Sequence, residues 1–179
     1  MFDATSGKTV GKLWDEAART FGTAEFLVFR NASDREFHFT YQSFNERINQ
    51  AAHAFRQWGI KKGDVVVVHM CNSIDFLLCL FSLAKLGAIM VPMNERNVAD
   101  ECAYVLEKCT PRLLVTEPDF LALYDELKKR DSVHVPKIVC ARTETDIEGT
   151  LNFYRHVSEQ PTTFDSVPDI AEDDTVEVM

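Results

Sequence analysis

Val65-Val66-Val67-Val68 places four β-branched residues in a row with no polar alternation, and no other stretch constrains the fold as much. A strand with one wet face alternates apolar and polar side chains, whereas a strand apolar on both sides belongs to a sheet covered above and below. The sequence supplies the covering helices in rhythm. After the valine run comes a helical pattern at about Ile74–Leu86, then a strand pattern at Ala88–Val91 and a helix at about Val98–Cys109. A strand at Arg112–Thr116, a helix at Phe120–Arg130 and a strand at Lys137–Cys140 follow. Such alternation means βαβ units. The fold class is α/β, with a mostly parallel sheet flanked by helices.

Residues 1–64 read as helices plus a hairpin. Val10, Leu13, Trp14, Ala17 and Phe21 form one apolar stripe, and Gly22 ends that helix. Ala24–Phe29 and Glu36–Phe39, separated by Asn31-Ala32-Ser33-Asp34, read as two paired strands. Thr40 is placed to cap a long helix whose buried side carries Phe44, Ile48, Ala51, Ala52 and Phe55. Glu46, Arg47, Asn49, Gln50 and Arg56 fall on its other side, and Gly59 stops it. Residues 65–140 hold the βαβ repeats. The helix at Ile74–Leu86 is apolar on nearly all sides apart from Asp75, Ser82 and Lys85, so it is expected to be enclosed. Residues 141–179 read as an acidic surface connection, with a short helix near Leu151–His156 and an alternating, strand-like end at Thr175–Met179.

Composition removes several function classes. A formal charge of -9 argues against nucleic acid, which needs clustered cations to track phosphates. The densest basic group, Lys128-Lys129-Arg130, sits at a helix end, where cations suit the helix dipole. Five cysteines cannot all pair with one another and match no zinc spacing, which points to a reducing, cytoplasmic setting. Cys71 lies two residues after His69, but a nucleophile–base pair also needs an orienting group, and none is evident. Met1–Val10 is polar, without the apolar core of a secretory leader. Phe76–Met93 holds Lys85, Gly87 and Pro92 and reads as core rather than a membrane span.

Motifs that carry chemistry are scarce. There is no G-x-G-x-x-G and no P-loop, and the seven glycines are dispersed. The first strand of the repeat ends in His69-Met70-Cys71-Asn72, without the acidic residue a phosphoacceptor site would want. Glu172-Asp173-Asp174 reads as a solvated loop rather than a metal site. His38, His53, His134 and His156 are isolated along the chain.

From Phe39 to Thr116 the sequence resembles the opening of the AMP-forming acyl-CoA ligases, relatives of the luciferases and of peptide-synthetase adenylation domains. The resemblance rests on Thr40-Tyr41, on Gly59-Ile60-Lys61-Lys62-Gly63-Asp64-Val65-Val66-Val67 and on Asn72-Ser73-Ile74-Asp75-Phe76. Leu83-Ala84-Lys85-Leu86-Gly87-Ala88-Ile89-Met90-Val91-Pro92-Met93-Asn94 carries it most strongly. With Leu13-Trp14-Asp15 and Asp173-Asp174-Thr175-Val176-Glu177-Val178, that segment is similar to the branch acting on carnitine and crotonobetaine.

The resemblance implies the amino-terminal subdomain of the adenylate-forming ligase fold, covering residues 1–179. It implies a parent enzyme that uses a small carboxylic acid, ATP, CoA and magnesium. In relatives a segment like Asp174–Val178 runs into a Ser/Thr/Gly-rich loop that holds ATP. Catalytic, cofactor-binding and metal-binding residues are therefore expected past Met179, with none on this chain, which is expected to be inactive and ligand-free by itself. A fatty or aromatic acid as substrate, and a free-standing α/β binding module without chemistry, stay open as alternatives.

Overall fold

A computed structural model describes residues 7–165 and 169–179. The absence of a leader core was read from Met1–Val10, and residues 1–6 of that stretch lie outside the described residues, as do 166–168 of the acidic connection.

Helix α1 spans Val10–Phe21, capped by the Thr9 hydroxyl, which accepts from the Lys12 N–H. Strands β1 (Glu25–Arg30) and β2 (Glu36–Thr40) form an antiparallel hairpin with a bulge near Glu25. Its turn is shaped by the Asn31 side chain, which accepts from the Ser33 and Arg35 N–H groups at 3.0 Å, as Asn does in loops. Thr40 then caps α2 (Tyr41–Gln57) reciprocally: its hydroxyl accepts from Ser43 N at 3.1 Å, while Ser43 Oγ accepts from Thr40 N at 3.0 Å.

The rest is a doubly wound sheet. Strands β3 (Val65–His69), β4 (Ile89–Met93), β5 (Leu113–Thr116), β6 (Lys137–Cys140) and the two-residue β7 (Leu151–Asn152) are all parallel, in spatial order β4-β3-β5-β6-β7. Helices α3 (Ile74–Leu86), α4 (Ala99–Cys109) and α5 (Leu121–Leu127) follow β3, β4 and β5, and α6 (Phe153–Ser158) follows β7. The valine run is apolar throughout because each face has its own core. Val66 and Val68 pack with α1, α2 and α3, whereas Val67 packs with α4 and α5. The short β7 had no sequence signal beyond Leu151. Helix α5 stops at Leu127, short of the basic cluster, whose Lys128 and Arg130 pair with Asp125, Asp100 and Glu126.

Helix α3 departs from simple patterning. Its polar residues Asp75, Ser82 and Lys85 are as deeply buried as Leu78, Cys79, Leu83 and Leu86, while Ile74, Phe76, Leu77, Leu80 and Phe81 are only half-buried. Lys85 is held by Asp15 at 2.5 Å, Asn45 at 2.8 Å and Asn49 at 2.6 Å. Asn49 therefore faces inward, which corrects its assignment to the outer side of its helix; an amide partner for a buried ammonium outweighs its place on the helical wheel. Helix α1 comes close enough to contribute Asp15 because Gly11 lies against Lys85, where an added Cβ would sit 3.2 Å from the Lys85 Cα.

Gly87 ends α3 in the left-handed region at φ 68°, with Ala88 N bonding back to Leu83 O. The last segment returns to the sheet beside it. Ile170 lies over Gly87, Lys62 pairs with Asp174 at 2.6 Å, and Glu177 bridges Met90 in parallel. The strand-like end thus docks on the outer edge of β4, through Met90 N to Val176 O at 2.9 Å and Val178 N to Met90 O at 3.0 Å. Among the described residues no helix is long and apolar enough to cross a membrane.

Candidate functional site

Open parallel sheets take ligands outside the carboxyl ends of their strands, where the strand order reverses. Here β3 leads to β4 on one side, and the chain then crosses back to β5 on the other, so the reversal falls between β3 and β5. The loops after His69, Thr116 and Cys140 meet there. They bring together His69, Cys71, Asp75, Glu117 and Arg142, residues scattered over more than seventy positions of sequence.

Glu117 is buried, follows directly on β5, and reaches across the crevice. One oxygen accepts from Cys71 N at 3.4 Å and the other from the Arg142 guanidinium. Arg142 is held in the left-handed region at φ 57°, and its backbone N–H donates to Asp75 Oδ2 at 3.2 Å. Asp75 sits in the first turn of α3, whose Ser73 cap already accepts from Phe76 N at 3.2 Å. Burial raises the Asp75 carboxyl; the neighbouring Tyr154 hydroxyl and Arg142 N–H oppose that. The helix N-terminus, a ready site for an anion, is thus already supplied with the protein's own carboxylate. The Glu117–Arg142 pair spans the crevice and walls it with the protein's own side chains.

His69 lies beneath this wall and is fully buried. Its ring stacks on Phe120 at 4.2 Å, and Nδ1 is 2.7 Å from the Tyr124 hydroxyl. Nε2 is buried without a hydrogen-bond partner among the described residues. Burial lowers the His69 pKa, with Asn94 and Glu117 opposing. Burial, then Glu117 and Glu95, push the Cys71 thiol up to about 11. At neutral pH that thiol stays protonated and His69 is engaged by Tyr124, so the two make no nucleophile–base pair.

The buried neutral histidine has a measurable consequence. Unfolded, His69 protonates near its ordinary value of 6.5; folded, only at lower pH. The unfolded chain therefore binds the extra proton first, and stability falls as pH drops below 6.5 toward the folded value. His69→Gln is expected to flatten urea-unfolding free energies over pH 6.5–5 relative to the parent chain. His38, raised by Glu25, acts in the opposite window, above 6.5, so the two contributions separate. An unchanged slope in the variant would contradict the buried-histidine account.

No position on the chain was expected to be catalytic, and the motif residues Leu83, Gly87, Val91 and Pro92 serve helix, turn and strand. Glu117, Arg142 and Asp75 were not singled out as a cluster. Each follows closely on a strand, the one signal that could have flagged them. Asp174 of the acidic triplet is committed to Lys62 and the Ala171 N–H, and no described residues group as a metal site.

The fold and its carboxyl edge define a doubly wound α/β unit whose ligand crevice is walled by its own side chains. The family model for AMP-binding enzymes matches residues 14–179, and the chain belongs to that family. It is 35% identical over 178 residues to the crotonobetaine/carnitine–CoA ligase of Salmonella paratyphi B and 33% identical to that of Citrobacter koseri. Each alignment covers 99% of this chain, which spans about a third of the relatives' length, 34%. Among solved structures, an anthranilate CoA ligase in complex with anthranoyl-AMP matches with TM-score 0.83 at 24% identity, covering 96% of this chain and 32% of that one. The N-terminal domain of FACL13 from Mycobacterium tuberculosis, with an inhibitor bound, matches with TM-score 0.81 at 22% identity, covering 96% and 40%. These two likenesses establish the α/β fold.

Proposed function

We propose that this chain is the amino-terminal scaffold of an ATP-dependent acid–thiol ligase, a cytoplasmic carnitine/crotonobetaine–CoA ligase. The observation that carries the reading is 35% identity, over 99% of the chain, to relatives bearing that name. In the reaction proposed for the complete enzyme, the substrate carboxylate attacks the α-phosphorus of ATP, forming an acyl-adenylate and releasing pyrophosphate. The CoA thiol then attacks the acyl carbon and expels AMP. Positioning and charge stabilisation carry such chemistry. In this reading the phosphate cradle and the magnesium site lie on other parts of the enzyme, and the contribution of this chain is structural: a parallel sheet presented as one wall of the acyl or CoA cleft.

The chain alone is expected to form no AMP from ATP in the presence of crotonobetaine, carnitine and CoA. Acid-dependent AMP release by it would overturn the placement of the reactive groups elsewhere. The complete gene product is expected to ligate CoA to crotonobetaine or carnitine in preference to a fatty or aromatic acid. A reversed preference would reassign the substrate within the same family.

A further inference from the structure

Residues 160–164 cross α2 as an irregular strap, and the helix grips them by their backbone. Asn49 Nδ2 donates to Thr162 O at 2.8 Å, Gln50 Nε2 to Gln160 O at 3.0 Å, and His53 Nε2 lies 2.8 Å from Thr163 O. Arg56 donates to His53 Nδ1 at 3.4 Å, which leaves Nε2 as the protonated nitrogen that bonds the strap. Gln57 and Gln160 pair their side-chain amides reciprocally at 3.0 and 3.1 Å. Phe164 closes the row, its ring 4.8 Å from that of His53 and 4.4 Å from the Arg56 guanidinium carbon. The acidic connection is therefore not a free linker over this stretch.

Asn49 joins the strap to the buried charge. Its Oδ1 accepts from Lys85 Nζ at 2.6 Å while its Nδ2 donates to Thr162 O. A carboxamide turned the other way would set its NH₂ against the ammonium, so Lys85 fixes which edge of Asn49 faces the strap. We propose that residues 160–164 form a latch that opens as a local unit, and that Asn49 conveys the state of the Lys85 ammonium to it. Gln160 is also tied to α6, through its N–H to Val157 O at 3.1 Å and its Nε2 to His156 O at 3.0 Å, and Phe164 packs on the core. Residues 161–163 between them are exposed and held by α2 alone, the marks of a segment that opens locally. The inference needs no ligand and is independent of the substrate reading.

Chymotrypsin cleavage after Phe164 reads the open population when opening and closing outpace cleavage. Asn49→Asp keeps an acceptor for Lys85 but replaces the donor to Thr162 with a carboxylate facing a carbonyl. Cleavage after Phe164 is expected to quicken about tenfold, the equivalent of one lost hydrogen bond. Cleavage after the exposed Phe21 and Tyr104, and the thermal midpoint, should hold. The double variant Gln50→Ala/Gln57→Ala leaves the buried network untouched and should quicken the same cut. Lys85→Met should raise the Phe164 cut beyond any rise at Phe21 and Tyr104. The latch is wrong if Asn49→Asp cleaves like the parent, or if the three sites quicken together. Should Asn49→Asp fail to fold, an unchanged cut in the double variant overturns the latch by itself. A Lys85→Met increase no larger at Phe164 than at the other two sites overturns the coupling.

Discussion

Phe44→Ala is expected to destabilise the chain by about 3–5 kcal/mol, the usual cost of deleting a fully buried aromatic ring. Phe44 has no exposed surface and is the hub of an aromatic cluster. Its ring centroid lies 5.6 Å from Trp14, 5.2 Å from Phe26, 5.5 Å from Phe39 and 6.5 Å from Phe81. Those partners come from α1, both hairpin strands and α3, so one deletion loosens four elements at once. The cavity cannot collapse easily, since its walls belong to elements pinned elsewhere. Phe44→Leu fills much of the volume and should cost less than half as much. Urea denaturation of both variants measures the difference, and a loss below about 1 kcal/mol for Phe44→Ala would show that the hairpin is not part of the cooperative core.

Lys85→Met should cost about 3 kcal/mol although the stem keeps its volume. The ammonium makes three hydrogen bonds, to Asp15, Asn45 and Asn49, with the Lys85 side chain 2% exposed. Removing it strands the Asn49 oxygen in the core, whereas Asp15, 46% exposed, regains water. The cost is therefore mainly that of orphaned buried acceptors. Burial lowers the Lys85 pKa, with Asp15 opposing. The double variant Lys85→Met/Asn49→Leu removes the orphan as well and should recover part of the loss. If it is no more stable than Lys85→Met, the orphaned amide is not the source of the penalty.

Much of this architecture was legible in the residues. The unbroken valines at 65–68 required two covered faces, and the structure divides them between two cores. Thr40 and Gly22 marked helix boundaries where they now stand, because capping is decided by neighbours within one turn. The segment from Leu83 to Asn94 pointed to the family that the comparison with family models also matches. Other features resisted reading for one common reason. Asn49 and Lys85 look like solvent residues until the packing of three helices seals them together. Glu117 and Arg142 are twenty-five positions apart and meet only because β5 and β6 are parallel neighbours.

The sequence by itself determined the succession of strands and helices other than β7, the caps at Thr40 and Gly22 and the two-sided burial of the sheet, since these depend on periodicity and on contacts within a few residues. Only the tertiary structure decided which polar groups lie inside, how the carboxyl edge is walled, and that the acidic connection is strapped to α2. A charge is buried where its partners converge, and that convergence is set by strand order and helix approach, neither of which is written in any single stretch of chain.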